Sequence, residues 1–283
     1  MSAPAPDPVP GARASRRARR ASGSALPLAV RIALGLLGPL VVLGAWEAYC
    51  RLADVDDLLL PPPSQVGTAL VDDRSILWDA FRVTGQEIAL GLLAALAVGA
   101  LLALAMHLSR VVRALLGPLV VGSQAIPLPV LAPILVFWLG FGVAPKVAIV
   151  AIICFFPITV ATLDALDRVD PAYARLLRTM GASRLQRLRW VELPAALPAA
   201  LSGAKVSVAI AAIAAVFAEY AGSEEGHGGL GRTIQSAQSN LATDRALAAV
   251  AILAAFAVLT TGALAAAQRF LAPWAHRGSD GAR

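Results

Sequence analysis

Long apolar runs alternate with short polar intervals along most of this chain. A helix of about 20 apolar residues is enough to cross the hydrocarbon core of a bilayer. Runs of that order occur at residues 26–46, 83–107, 115–139, 146–163, 197–219 and 246–267. Glycine and alanine recur within them, with Gly85, Gly91 and Gly99 in the second run, and small residues let helices approach closely. Pro118, Pro127, Pro129 and Pro133 interrupt the third run, and prolines at that density kink or break a helix. The pattern predicts an all-α polytopic membrane protein with about six transmembrane helices.

The polar intervals carry their own signals. The longest basic one, residues 170–198, reads as two short amphipathic helices. Asp170 is placed to cap the first, and Pro171 sits at its first position, where a missing N–H costs nothing. Tyr173, Leu176, Leu177 and Met180 fall at i, i+3, i+4 and i+7, one apolar face. Gly181 follows as a terminator. Ser183 and Gln186 have the spacing of a capping box for the second helix. Leu185, Leu188 and Val191 extend an apolar stripe among Arg184, Arg187 and Arg189, and Leu193-Pro194 is expected to end the unit. The interval predicts a stiff basic hairpin at a membrane surface. Residues 47–82 are expected as an acidic loop, with Pro61-Pro62-Pro63-Ser64 as extended chain. Beyond the fifth run, residues 220–245 hold Glu224, Glu225 and a glycine-rich stretch.

Composition fits the same class. Of 283 residues, 58% are hydrophobic and only 15% charged, against about a quarter charged in soluble domains. Mean hydropathy is +0.71 and the isoelectric point about 10.1. The net charge of +6 is better explained by loop arginines that set orientation than by nucleic acid. Arginines concentrate in residues 1–24, the 108–114 loop, the hairpin and the C-terminal tail, at Arg269, Arg277 and Arg283. Fewer basic residues fall in the alternate loops: Arg51, Arg74, Arg82, Lys146, Arg232 and Arg245. Both termini and the hairpin are therefore expected in the cytoplasm. Arg16, Arg17, Arg19 and Arg20 lack the following apolar residues of a twin-arginine signal and read as a positive anchor. Cys50 and Cys154 have no metal-ligand spacing.

The organisation expected is a disordered basic tail at 1–24, a first transmembrane helix at 25–50 and an extracytoplasmic loop at 51–82. A core at 83–274 follows, with five helices and the hairpin 170–194, and then a tail at 275–283. No cofactor or metal is expected. His107, His227 and His276 are scattered, and neither a His-Glu-x-x-His pattern nor paired intramembrane aspartates suggest an enzyme. No Gly-x4-Gly-Lys-Ser/Thr loop is present to bind ATP. Glu219, at the end of the fifth run, is either a functional intramembrane acid or a residue wetted at the membrane rim. Lys205 is expected to snorkel to the interface.

Gly181, nine residues, Val191, one residue and Leu193-Pro194 resemble the Gly-x9-Ile-x-Leu-Pro half of the "EAA" signature of binding-protein-dependent ABC importer permeases. Arg175, Leu176 and Leu177 stand where that signature has Glu-Ala-Ala. The resemblance covers residues 83–274 and is nearest the nitrate, sulfonate and taurine type. QAIPLPVLAPILVFWLGFGVAPK (124–146) resembles that group's proline-broken third helix and Gly-x-Gly turn, and residues 217–231 resemble its extracytoplasmic stretch. Thr179 to Ser183 and Ala218-Glu219-Tyr220 also resemble permeases for thiamine-pyrimidine precursors.

The resemblance implies a type I permease fold in a bacterial plasma membrane, with the hairpin as coupling helices. It implies docking of ABC ATPase subunits through Leu177, Met180, Gly181, Ala182, Ser183 and Arg184. It implies a permease homodimer fed by an extracytoplasmic substrate-binding protein. Pro129, Pro133 and Glu219 are pathway candidates. The solute implied is a sulfonate-, taurine- or nitrate-like anion, or else a pyrimidine vitamin precursor. A secondary transporter or channel working without ATP is the rival of another class. The absence of a detectable internal repeat counts against it.

Overall fold

The computed structural model describes residues 28–222 and 228–274. The terminal tails, Glu224, Glu225, His227 and His276 lie outside the described residues. All regular elements described are helical. They are α1 (Leu28–Leu52), α2 (Pro63–Asp72), α3 (Arg74–Leu108), α4 (Arg110–Gly122), α5 (Leu128–Leu139), α6 (Val143–Asp167), α7 (Pro171–Thr179), α8 (Arg184–Arg187), α9 (Leu193–Gly222), α10 (Leu230–Ser239) and α11 (Thr243–Leu271). The chain divides into two compact units, one ending at Val55 and holding α1, the other starting at Asp56.

Each of the six apolar runs corresponds to a helical stretch. Among the described residues four stretches are long and apolar enough to cross a membrane: α3, α6, Arg184–Gly222 and α11. The pair Arg110–Ala125 and Leu128–Leu139 makes a fifth if it is one broken span. α1 has 25 residues, about 37 Å of helix at 1.5 Å per residue.

Two boundaries differ from the sequence expectation, and one break agrees with it. The segment 51–82 is not all loop: Pro62, with φ −66° and ψ 154°, caps α2, and α3 already begins at Arg74. Leu77, Ala80, Thr84, Glu87 and Ile88 are buried along this first part of α3, a helical period that its charged outer face disguises. The third run is broken, as its prolines predict. Its two helices meet at 106° across Ile126, which precedes Pro127 and takes the extended conformation (φ −78°, ψ 118°) that a following proline favours. Finally, Leu193-Pro194 does not end the hairpin. α8 passes through one widened π turn, Leu188–Glu192, directly into α9. The turn lies just where the ring and missing N–H of Pro194 disturb the regular ladder.

α6 is the centre of the second unit, packed between α3 and α9. Small residues make this possible. Gly91, Ala95, Gly99 and Ala103 form an i, i+4 stripe on α3. A Cβ at Gly99 would lie 2.9 Å from the Phe155 carbonyl, and one at Gly203 would lie 2.8 Å from Ile158 Cα and the Pro157 carbonyl. Gly85 is different: its Cβ would meet only the Phe81 ring, at 3.7 Å. Between α6 and α9, Ser207 Oγ donates to the Cys154 carbonyl at 2.9 Å and Cys154 Sγ donates to the Ser207 carbonyl at 3.4 Å. Lys205, half-buried, donates to Gln268 Oε1 of α11 at 2.5 Å.

Candidate functional site

The hairpin forms as its local chemistry dictates. Asp170 accepts from the Ala172 N–H at 2.7 Å and starts α7. At the other end Gly181 has φ +79°. Its N–H donates to the Arg178 carbonyl at 3.0 Å, and the Ala182 N–H donates to the Leu177 carbonyl at 2.9 Å. These are the two bonds of a Schellman ending, which needs a left-handed residue at the glycine. Ser183 and Gln186 complete the capping box: the Ser183 N–H donates to Gln186 Oε1 at 2.7 Å, and the Gln186 N–H to Ser183 Oγ at 3.3 Å. Two short helices are thus joined by a turn in which nearly every backbone group is accounted for.

Of the six docking candidates, Met180, Gly181, Ser183 and Arg184 are exposed, and Leu177 and Ala182 are half-buried. Tyr173, Leu176, Leu185 and Trp190 add exposed apolar surface on the same hairpin. Leu188 turns inward and is buried. Arg184 also reaches back, donating from Nη2 to the Leu108 carbonyl at 2.6 Å.

Behind the hairpin lies a charged network that the sequence reading missed. His107, in the last turn of α3, sits between Asp167 at the end of α6 (Nδ1 to Oδ1, 3.1 Å) and Glu192 of the π turn (Nε2 to Oε2, 3.3 Å). Arg113 of α4 donates to Asp167 Oδ2 at 2.6 Å, and Arg187 of α8 donates to Glu192 Oε1 at 2.9 Å. The partners of His107 are 60 and 85 residues away in sequence, beyond the reach of any local pattern.

A second cluster occupies the opposite end of the same three helices. Lys146, near the start of α6, donates to Glu87 Oε1 of α3 at 2.9 Å, with both side chains almost wholly buried. Glu219 of α9 is fully buried, so the wetted-rim reading is overturned: Gly229 and the first turn of α10 lie against it. The Thr84 hydroxyl donates to Glu219 Oε1 at 2.5 Å and accepts from the Leu230 N–H at 2.7 Å. The Arg232 N–H donates to Glu219 Oε2 at 3.1 Å. Gly229 allows this approach, because a Cβ there would overlap Thr84 Oγ1 and the Glu219 carboxylate. Lys146 is therefore an interior cation, not a loop charge. Glu87 was legible as an acid inside an apolar run and was overlooked. At the start of α3, Arg245 of α11 holds Asp73 through two bonds of 2.6 and 2.8 Å. The other pathway candidates, Pro129 and Pro133, lie exposed on α5; the structure does not bring them to Glu219.

Apolar spans packed through small residues, a proline-broken pair and a rigid polar hairpin define a membrane permease. The chain belongs to the family described as binding-protein-dependent transport system inner membrane component, whose pattern matches residues 91–277. It is 38% identical over 222 residues to a probable ABC transporter permease protein of Haemophilus influenzae, covering 77% of this chain and 89% of that one. It is 33% identical to the formylaminopyrimidine transport permease protein ThiX of Halalkalibacterium halodurans, covering 83% and 93%. It is 32% identical to the taurine transport system permease protein TauC of Escherichia coli, covering 88% and 92%. Among solved structures, the inward-facing MetNI methionine ABC transporter matches with a TM-score of 0.52 at 21% identity, covering 69% of this chain and 94% of that one. The fold is thus the type I ABC importer permease fold, and the chain is a multi-pass membrane permease subunit for a small solute.

Proposed function

We propose that this permease forms the translocation pathway of an ATP-driven importer for a taurine-like or other small sulfonate anion. ATP is hydrolysed by separate subunits that seat the α7–α8 hairpin, and an extracytoplasmic binding protein delivers the solute. The observation that carries the coupling role is the hairpin itself. Its two capped helices are stiff, its turn is set by Gly181, and Tyr173, Leu176, Met180, Leu185 and Trp190 offer apolar area beside arginines that can meet an acidic rim. A rigid hairpin transmits closure of the ATPase subunits to α6 and α9, between which it is strung. Two permease copies with six spans each, both termini and the hairpin in the cytoplasm, complete the reading. Loop arginines support that orientation.

The relation to TauC, spanning 88% of the chain, supports the sulfonate reading. The comparable relation to ThiX supports a formylated pyrimidine as the second. Purified cognate binding protein separates them by thermal shift. Stabilisation by taurine or an alkanesulfonate is expected, and stabilisation by formylaminopyrimidine alone would transfer the assignment. Copurification of the ATPase subunits with the wild-type chain, and its loss in Gly181→Val, tests the docking role.

A further inference from the structure

His107 is where two spans and the hairpin meet at one side chain. It belongs to α3, Asp167 ends α6, and Glu192 lies in the turn that carries the hairpin into α9. Both ring nitrogens face carboxylate oxygens, at 3.1 and 3.3 Å. Each acid also takes an arginine: Arg113 holds Asp167 at 2.6 Å, and Arg187 holds Glu192 at 2.9 Å. A carboxylate engaged by a guanidinium is ionised and only accepts. A neutral imidazole has one donor and one acceptor nitrogen, so it can satisfy one of these acids and must turn a lone pair toward the other. The doubly protonated ring is the form in which both contacts are hydrogen bonds.

We propose that His107 is a positioning residue for coupling: its doubly protonated ring braces the hairpin to the spans, and loss of one proton releases one of the two links. The proposal rests on the hairpin's docking role. The charged groups around the ring are Asp167 from α6, Glu192 from the π turn, Arg113 from α4 and Arg187 from α8, with Arg184 of α8 on the adjoining Leu108 carbonyl. Asp164 and Arg168 form a looser exposed pair one turn away, at 4.0 Å. The ring is 19% exposed, so protons reach it from water. The Arg184 contact to Leu108 is independent of the ring, so the hairpin stays attached when the brace opens and only its stiffness changes. A histidine at this point makes the stiffness respond to pH on the hairpin side of the membrane.

The test uses the permease assembled with its ATPase subunits in nanodiscs. His227→Gln and His276→Gln leave His107 as the permease's remaining histidine, and isotope labelling of the permease's histidines confines the nitrogen signal to it. Two protonated ring nitrogens are expected in the assembled permease, since both face carboxylates; a neutral tautomer would overturn the proposal. Hydrogen exchange of the amides in residues 188–193 reads the stiffness. His107→Gln is expected to speed it about tenfold while the ATPase subunits still copurify, and His107→Arg, a permanent cation with several donors, to stay near wild type. After correction for the intrinsic rate, raising the pH should move wild type toward His107→Gln and leave His107→Arg unmoved. Identical profiles for the three would sink the idea. Failure of the wild-type chain to bind ATPase subunits would instead refute the docking role, and the nitrogen signal of the permease alone would still decide the state of the ring.

Discussion

The two ends of the α3–α6–α9 core hold their charges in opposite ways. At the hairpin end, Arg113, Asp167, His107, Glu192 and Arg187 form an alternating chain with partial access to water. Every acid there has two partners. At the other end, Glu87 and Glu219 share the neighbourhood of one ammonium, Lys146, with all three side chains buried. Glu219 is held by a hydroxyl and a backbone N–H, and Glu87 Oε2 has no hydrogen-bond partner among the described residues. The first arrangement tolerates rearrangement because water can replace a lost contact. The second cannot, since a buried charge without a partner is far more costly than an exposed one. The coupling role proposed for the hairpin calls for the tolerant arrangement at that end.

The contrast is broken most directly at Lys146. Lys146→Met leaves the Glu87 carboxylate buried without its cation, and a loss of about 3–5 kcal/mol is expected. Thermal unfolding in detergent reads it. The double variant Lys146→Met/Glu87→Met should recover most of that loss, because removing both charges also removes the desolvation they require. By comparison, Arg113→Met at the hairpin end should cost no more than about 1 kcal/mol, since its partner Asp167 stays in contact with His107 and water. Equal losses at Lys146 and Arg113 would erase the distinction between the two ends.

A middle-sized effect is expected between the ends, where backbone meets backbone. Gly203→Val must push Ile158 Cα and the Pro157 carbonyl away from positions 2.8 Å from the new Cβ, at a cost of about 1–3 kcal/mol or more. At the hairpin the cause is conformational instead. Gly181→Ala has open space around it but keeps φ at +79°, costing about 1–2 kcal/mol. Local exchange at residues 177–186, with the global melting point little changed, would distinguish this hairpin effect from the core effect of Gly203→Val.

Much of this was written locally in the chain. The apolar runs gave the helices, and Asp170, Gly181, Ser183 and Gln186 gave the hairpin. What escaped was of two kinds. The start of α3 escaped because Asp72, Asp73, Arg74, Asp79 and Arg82 lower the average hydropathy there, although Leu77, Ala80, Thr84 and Ile88 keep the helical period beneath them. The continuity of α8 into α9 escaped because a Leu-Pro pair usually stops a helix, and the π turn that absorbs it leaves no mark in the sequence. Both charged clusters escaped for another reason: their members come together from three or more helices, and only the packing of Gly91, Gly99 and Gly203 against α6 brings those helices close enough.

That packing has a limit which the smallest prediction locates. Gly85 and Gly91 lie on the same helix and look alike in sequence, yet their surroundings differ. A Cβ at Gly91 would overlap the Val150 side chain and lie 3.3 Å from the Val147 carbonyl, whereas one at Gly85 would lie 3.7 Å from the Phe81 ring, an ordinary contact. Alanine is a better helix former than glycine by about 0.5–1 kcal/mol. Gly85→Ala should therefore raise the melting temperature slightly, and Gly91→Ala should lower it, because Val150 must shift and the Glu87–Lys146 pair lies one turn away from it on both helices. A destabilising Gly85→Ala would mean that the close-packed seam of α3 extends outward beyond the buried charges; a stabilising one places its edge between Gly85 and Gly91, on the turn that carries Glu87.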